Sequence, residues 1–189
     1  MLEWLEDEWN SALTNVRPRH LEWLRQRGVS PEALENVGGF GVLRAEVGHD
    51  SWRPDPEGVP VIVLPAFSAD RDGGIGPLYD LFAFRPLDEG APIVTRRRLD
   101  AVWIGEPELE LCAFLNLPPT VRFDVLSWMR AGGRGIVPVD DARAYERLAS
   151  LQAIEAETPE IAEVLLREIR SILLAKMPRV TAPGQGKRR

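Results

Sequence analysis

Three stretches decide the fold: Phe40-Gly-Val-Leu-Arg-Ala-Glu-Val47, Pro60-Val-Ile-Val-Leu-Pro-Ala-Phe67 and Leu78-Tyr-Asp-Leu-Phe-Ala-Phe84. The first alternates apolar and polar residues and the second is continuously apolar. With the third, they read as β-strands. Between them lie His49 to Gly58 and Ser68 to Pro77, both rich in the Gly, Pro, Asp and Ser residues that turns require. The expected product is a small, mostly antiparallel sheet, a hairpin or meander, to which Ile93 to Arg97 adds a short strand. Pro65 has no N–H to donate, which places it at a sheet edge or strand end and argues against a long central strand.

Upstream of this sheet the hydrophobic period is helical. Leu2, Leu5, Trp9, Leu13 and Val16 recur every three or four residues, and the helix ends before Pro18. Pro18 starts a second helix carrying Leu21 and Leu24 and closed by Gly28. Ser30-Pro31-Glu32 supplies an N-cap, a first-turn proline and a dipole-compatible acid for a third helix over 31–37, stopped by Gly38-Gly39. Downstream, strands and helices alternate. Ala101 to Ile104 is strand-like, Pro107 opens a helix to about Leu115, and Val121 to Val125 is again strand-like. Trp128 sits on a short helix ended by Gly132-Gly133, Ile136 to Val139 forms another strand, and Asp140 caps a helix from Ala142 to about Ser150. Thr158-Pro159-Glu160 begins a last helix with Ile161, Val164, Leu165, Ile169 and Ile172 on one face. The fold class is therefore α+β, in one domain over 1–177, with 178–189 expected as a disordered basic tail.

The 189 residues carry a net charge of −6, so the surface as a whole is no nonspecific polyanion binder and any nucleic-acid contact is local. Cys112 is the only cysteine and His20 and His49 the only histidines, which excludes an intramolecular disulfide and a cysteine-based zinc site. A reducing, cytoplasmic compartment fits. The acidic N-terminus and the lack of any long apolar run predict neither a signal peptide nor a membrane span.

The densest positive run, Arg96-Arg97-Arg98, can touch a nucleic-acid backbone together with Arg71 or Arg85, although an extended segment puts at most two of its arginines on one face. A solvated strand end paired with nearby acids explains the same run. Glu106 and Glu108 follow one strand, and Asp140 and Asp141 follow another. Carboxylates converging at strand ends can hold Mg²⁺, the one cofactor these positions suggest, while helix-start and cap roles account for them equally well. The helical pair around Gly28 has helix-turn-helix spacing, but Glu32 and Glu35 on its second helix oppose a place against phosphates. Asp72-Gly73-Gly74-Ile75-Gly76 lacks the following helix that a phosphate loop needs.

The stretch His20-Leu-Glu-Trp-Leu-Arg-Gln-Arg-Gly-Val-Ser-Pro-Glu-Ala-Leu-Glu-Asn-Val-Gly-Gly-Phe-Gly41, with Gly58 to Pro65 and Leu78 to Phe84, resembles the opening of the catalytic core of bacterial and phage DNA primases over residues 20–98. In that family a Toprim domain follows, with a catalytic Glu and an Asp-x-Asp pair serving Mg²⁺. Residues 99–150 then correspond to a degenerate Toprim-like part, because Gly105-Glu106 stands where the family has Glu-Gly, Asp140-Asp141-Ala142 replaces Asp-x-Asp, and Pro138 interrupts the strand. The resemblance implies a non-enzymatic accessory protein of phage, prophage or plasmid DNA metabolism that binds nucleic acid or a replication protein. A pure protein-interaction module using Trp4, Trp9 and Trp23 is the alternative. A Mg²⁺-dependent nucleotidyl transferase or nuclease using Glu106, Asp140 and Asp141 is a third reading.

Overall fold

The computed structural model describes residues 3–70, 74–87, 92–97, 101–139 and 141–176. Arg71, Arg98, Asp140 and the tail 178–189 lie outside them. Three helices come first: α1 (Glu3–Thr14), α2 (Pro18–Gln26) and α3 (Pro31–Asn36). Ser30 caps α3 by accepting from the Ala33 N–H at 3.1 Å, as its position before Pro31 predicts. Then follow β1 (Gly41–Val47), β2 (Trp52–Pro54), β3 (Val59–Ala69), β4 (Ile75–Phe84) and β5 (Val94–Thr95). They form one antiparallel sheet in the order β2-β1-β3-β4-β5. A bridge between Ser51 and Thr95 joins its two edges, so the sheet curls until they meet.

The protein is an α+β fold, and β3 corrects one expectation: it runs for 11 residues through the middle of the sheet despite Pro60 and Pro65. Pairing with β1 covers Val59 to Val63 and pairing with β4 begins at Ile62. Pro60 therefore faces only β1 and Pro65 only β4. Each proline sits where the strand is locally an edge, and a missing N–H there leaves no ladder bond broken. The strand β2, inside what reads as a loop, is the other departure.

The continuous apolar run of β3 is explained by burial on both faces. Ile62, Leu64 and Ala66, with Phe82 and Phe84 of β4, pack with Leu24, Val29, Ala33 and Val37 of the helical hairpin. Val61 and Val63, with Leu81 and Ala83, pack with Leu5 and Ala12 of α1 and with Trp52. The α1 face is rotated from the expected stripe: Ala12 is buried against Gly41 while Leu13 is exposed.

The second half contains β6 (Trp103–Ile104), α4 (Glu106–Leu115), β7 (Thr120–Val121), α5 (Val125–Arg130), β8 (Val137–Pro138), α6 (Asp141–Leu148), β9 (Glu155–Ala156) and α7 (Pro159–Lys176). The strand–helix alternation is as expected. The pairings β6–β8 and β7–β9 are two residues long, and a third core forms from Trp103, Leu109, Val121, Ile136, Tyr145, Leu148, Ile161 and Leu165. None of the described helices is long and apolar enough to cross a membrane.

One buried charge tests the first core. Asp80 of β4 is 0% exposed; its Oδ1 accepts from the N–H of Leu81 and of Arg97 at 2.7 and 2.9 Å, while Oδ2 has no partner. Burial raises its pKa above the ordinary carboxylate value, against the opposing pull of these N–H groups, the Arg97 charge and the facing Ala101 amide. The folded chain thus takes up this proton before the unfolded chain does, so the penalty of ionised Asp80 is present at neutral pH and relieved as pH falls through the folded value. Comparing native protein with Asp80→Asn by urea unfolding, the stability difference is expected to shift toward the native protein between neutral pH and about pH 4. A difference that stays flat over this window would contradict the assignment.

Candidate nucleic-acid interface

The arginine run is placed in two ways. Arg96 is spent on the fold: its Nε and Nη2 donate to Glu8 of α1 at 2.7 and 2.8 Å, and its guanidinium lies 5.0 Å from the Trp4 ring and 5.7 Å from the Trp52 ring. Only 24% of its side chain is exposed. Arg97 donates through Nη1 to the Tyr79 carbonyl at 2.9 Å. A turn follows β5 at these residues, so the alternation of an extended strand does not apply to them.

Arg85 leads elsewhere. It lines a cleft of about 410 Å³ together with Trp23 of α2, Phe84, Pro86 and Ile93 beside the sheet, and Phe123 to Leu126 and Arg130 at α5. The cleft exists because the helical hairpin and α5 pack side by side on one face of the sheet, sharing the core around Leu24, Phe84, Val125 and Met129. Among the described residues its lining is rich in aromatic rings and carries two arginines, Arg85 and Arg130, against one acid. Arg27, one turn beyond Trp23 on the same side of α2, places its guanidinium 3.9 Å from the Trp23 ring. Arg130 packs its stem on Gly28, and its Nη1 lies 3.5 Å from the Arg27 carbonyl. Gly28, at φ +82°, lets the hairpin turn close and leaves the space that the Arg130 stem fills. Phe123 is 59% exposed, an aromatic face left to solvent beside these cations. Among the described residues Asp124 is the one acid lining the cleft, and its Oδ1 accepts from the Ser127 N–H at 2.8 Å as the N-cap of α5.

Of the residues singled out in the sequence and described here, Arg85, named for nucleic acid, and Trp23, named for a partner protein, belong to this site. Trp23 and Arg27 carry a local signal, an aromatic and a cation four residues apart in a helix. Phe123 and Arg130 carry none, since nothing in the chain between shows that α5 returns beside α2.

Of the candidate metal positions, Asp140 lies outside the described residues. Glu106 starts α4, where its Oε2 accepts from the Tyr79 hydroxyl and its Oε1 lies 3.9 Å from Arg147 Nη1. Arg147 is engaged more closely by Glu110. Asp141 opens α6. Among the described residues, no group of three or more His, Cys, Asp or Glu side chains is arranged to hold a metal ion. Of the three N-terminal tryptophans, Trp9 and Trp23 pack partly into the cores, while Trp4 is exposed at one edge and covers Arg96 with its ring. The chain matches no family model, no curated protein and no solved structure.

Proposed function

We propose that the protein binds nucleic acid through the cleft of Trp23, Arg85, Phe123 and Arg130, with Arg27 stacked on Trp23 beside it, as a non-enzymatic accessory of DNA metabolism. The observation that carries this reading is the interleaving of arginines with aromatic faces in one concave site on an otherwise acidic protein. Arginines neutralise phosphates, and an exposed ring such as Phe123 offers a base a surface to stack on, worth about 1–3 kcal/mol per base. The phage or plasmid setting rests on the resemblance of residues 20–98 to the primase core.

The test is fluorescence anisotropy of labelled DNA and RNA oligonucleotides across a salt series. Binding is expected at low salt, with affinity falling as salt rises. Phe123→Ala is expected to weaken it about tenfold at every salt concentration, the loss of one stacking surface. Arg130→Gln is expected to flatten the salt dependence by about 0.7 in the logarithmic slope, one phosphate contact on a single strand. Absence of binding to every oligonucleotide at low salt would rule the proposal out.

A further inference from the structure

The last helix, α7, has two faces. Ile161, Leu165, Ile169 and Ile172 pack into the third core, and the helix lies against α6 and β9. Opposite them, Pro159, Glu163, Leu166, Arg170 and Leu174 follow one another every three or four residues and form one outer stripe. All five are exposed, Leu166 to 53% and Leu174 to 67%, and a shallow groove of about 450 Å³ runs over the last four. We infer that this stripe seats a second copy of the chain, with two α7 helices lying antiparallel across a twofold axis at Leu166.

A helix that only covered the third core would turn a polar face outward. Here Leu166, Leu173 and Leu174 all stand exposed within about two turns of one another, a patch rather than scattered residues.

Charge decides the occupant. In a twofold pair of antiparallel helices, a residue some number of positions before the axis meets the residue the same number after it on the other copy. With the axis between positions 166 and 167, the two Leu166 side chains meet at the centre. Glu163 and Arg170 stand one turn, about 5 Å along the helix, to either side, so each Glu163 faces Arg170 of the other copy. Two turns out, Pro159 faces Leu174 of the other copy. Apolar residue meets apolar residue and acid meets base, a complementarity that the stripe has with itself. A parallel copy would instead set Glu163 beside Glu163 and Arg170 beside Arg170. Both charges are open to this use: neither has a hydrogen-bond or ion-pair partner among the described residues. Their neighbours Arg167 and Lys176, by contrast, pair within the chain with Glu168 and Glu146.

One pair of helices makes a small interface, below about 1,200 Å² in total, so the expected dissociation constant is about 100 µM. The test is sedimentation equilibrium of the full chain from about 5 to 500 µM, over which the average mass is expected to rise from that of one chain toward that of two. Glu163→Arg and Arg170→Glu each put like charges face to face twice in the pair, and each is expected to weaken the dimer about tenfold. An equimolar mixture of the two variants is expected to regain at least the native affinity, because in the mixed pair every facing couple again has opposite signs. Both positions are exposed and both residue types favour helices, so circular dichroism is expected to match the native protein. A single-chain mass throughout the range would overturn the proposal and leave the stripe to a different protein or a lipid surface. A dimer that both variants leave intact, or a mixture that stays monomeric, would overturn it equally. None of these outcomes involves the nucleic-acid cleft, which shares no residue with this stripe.

Discussion

Gly41→Ala is expected to lower the melting temperature by about 5–10 °C, followed by circular dichroism. Gly41 begins β1 at the point where α1 crosses it, and an added Cβ falls inside contact distance of the Ala12 Cβ and 3.0 Å from the Ala12 carbonyl carbon. The obstacle is partly helix backbone, which has no rotamer by which to yield. Relief requires α1 to lift from the sheet, opening the contacts of Leu5 and Ala12 with Val61, Val63, Leu81 and Ala83. Overpacking of this kind costs about 1–3 kcal/mol, and rigid neighbours place it at the upper end. In a protein of this size each kcal/mol is worth about 2–4 °C. A melting temperature equal to that of the native protein would show that α1 is not seated here.

Arg96→Ala is expected to lower the melting temperature by about 4–8 °C and to leave oligonucleotide affinity unchanged at temperatures where the variant is folded. The side chain fastens the same helix to the same sheet from the other end. Its paired bonds to Glu8 are charge-assisted, both partners are largely shielded from water at 24% and 20% exposure, and the Trp4 and Trp52 rings flank the guanidinium. Together these are worth about 2 kcal/mol after allowance for solvent screening. Glu8→Gln should destabilise through the same contact, so the double variant is expected to lose about 1 kcal/mol less than the sum of the single losses. Strict additivity would show that the pair is not coupled. Reduced oligonucleotide affinity in folded Arg96→Ala would return the arginine run to the nucleic-acid interface.

Both variants act where α1 meets the sheet, away from the cleft around Arg85. The cleft around Arg85 depends on the hairpin and α5, which pack on the sheet face opposite α1.

Most elements were legible in the chain because their signals are local. The cap at Ser30, the glycine stops at Gly28 and Gly132, the alternation in β1 and the helical period in α7 each involve residues within a turn or two of one another. Backbone hydrogen bonding and side-chain spacing act over that range, so the α+β class and the order of elements follow from the residues alone. What required the assembled molecule is whatever joins distant residues. Pro65 is tolerated in a central strand because β1 stops pairing at Val63, a fact of register rather than of composition. Arg96 is tied to α1 because Glu8, 88 residues earlier, reaches it. Arg85 comes to line one cleft with Phe123 and Arg130 only once the sheet and α5 have packed. Charge and aromaticity are properties of a residue, whereas a cleft is a property of the packing that brings residues together.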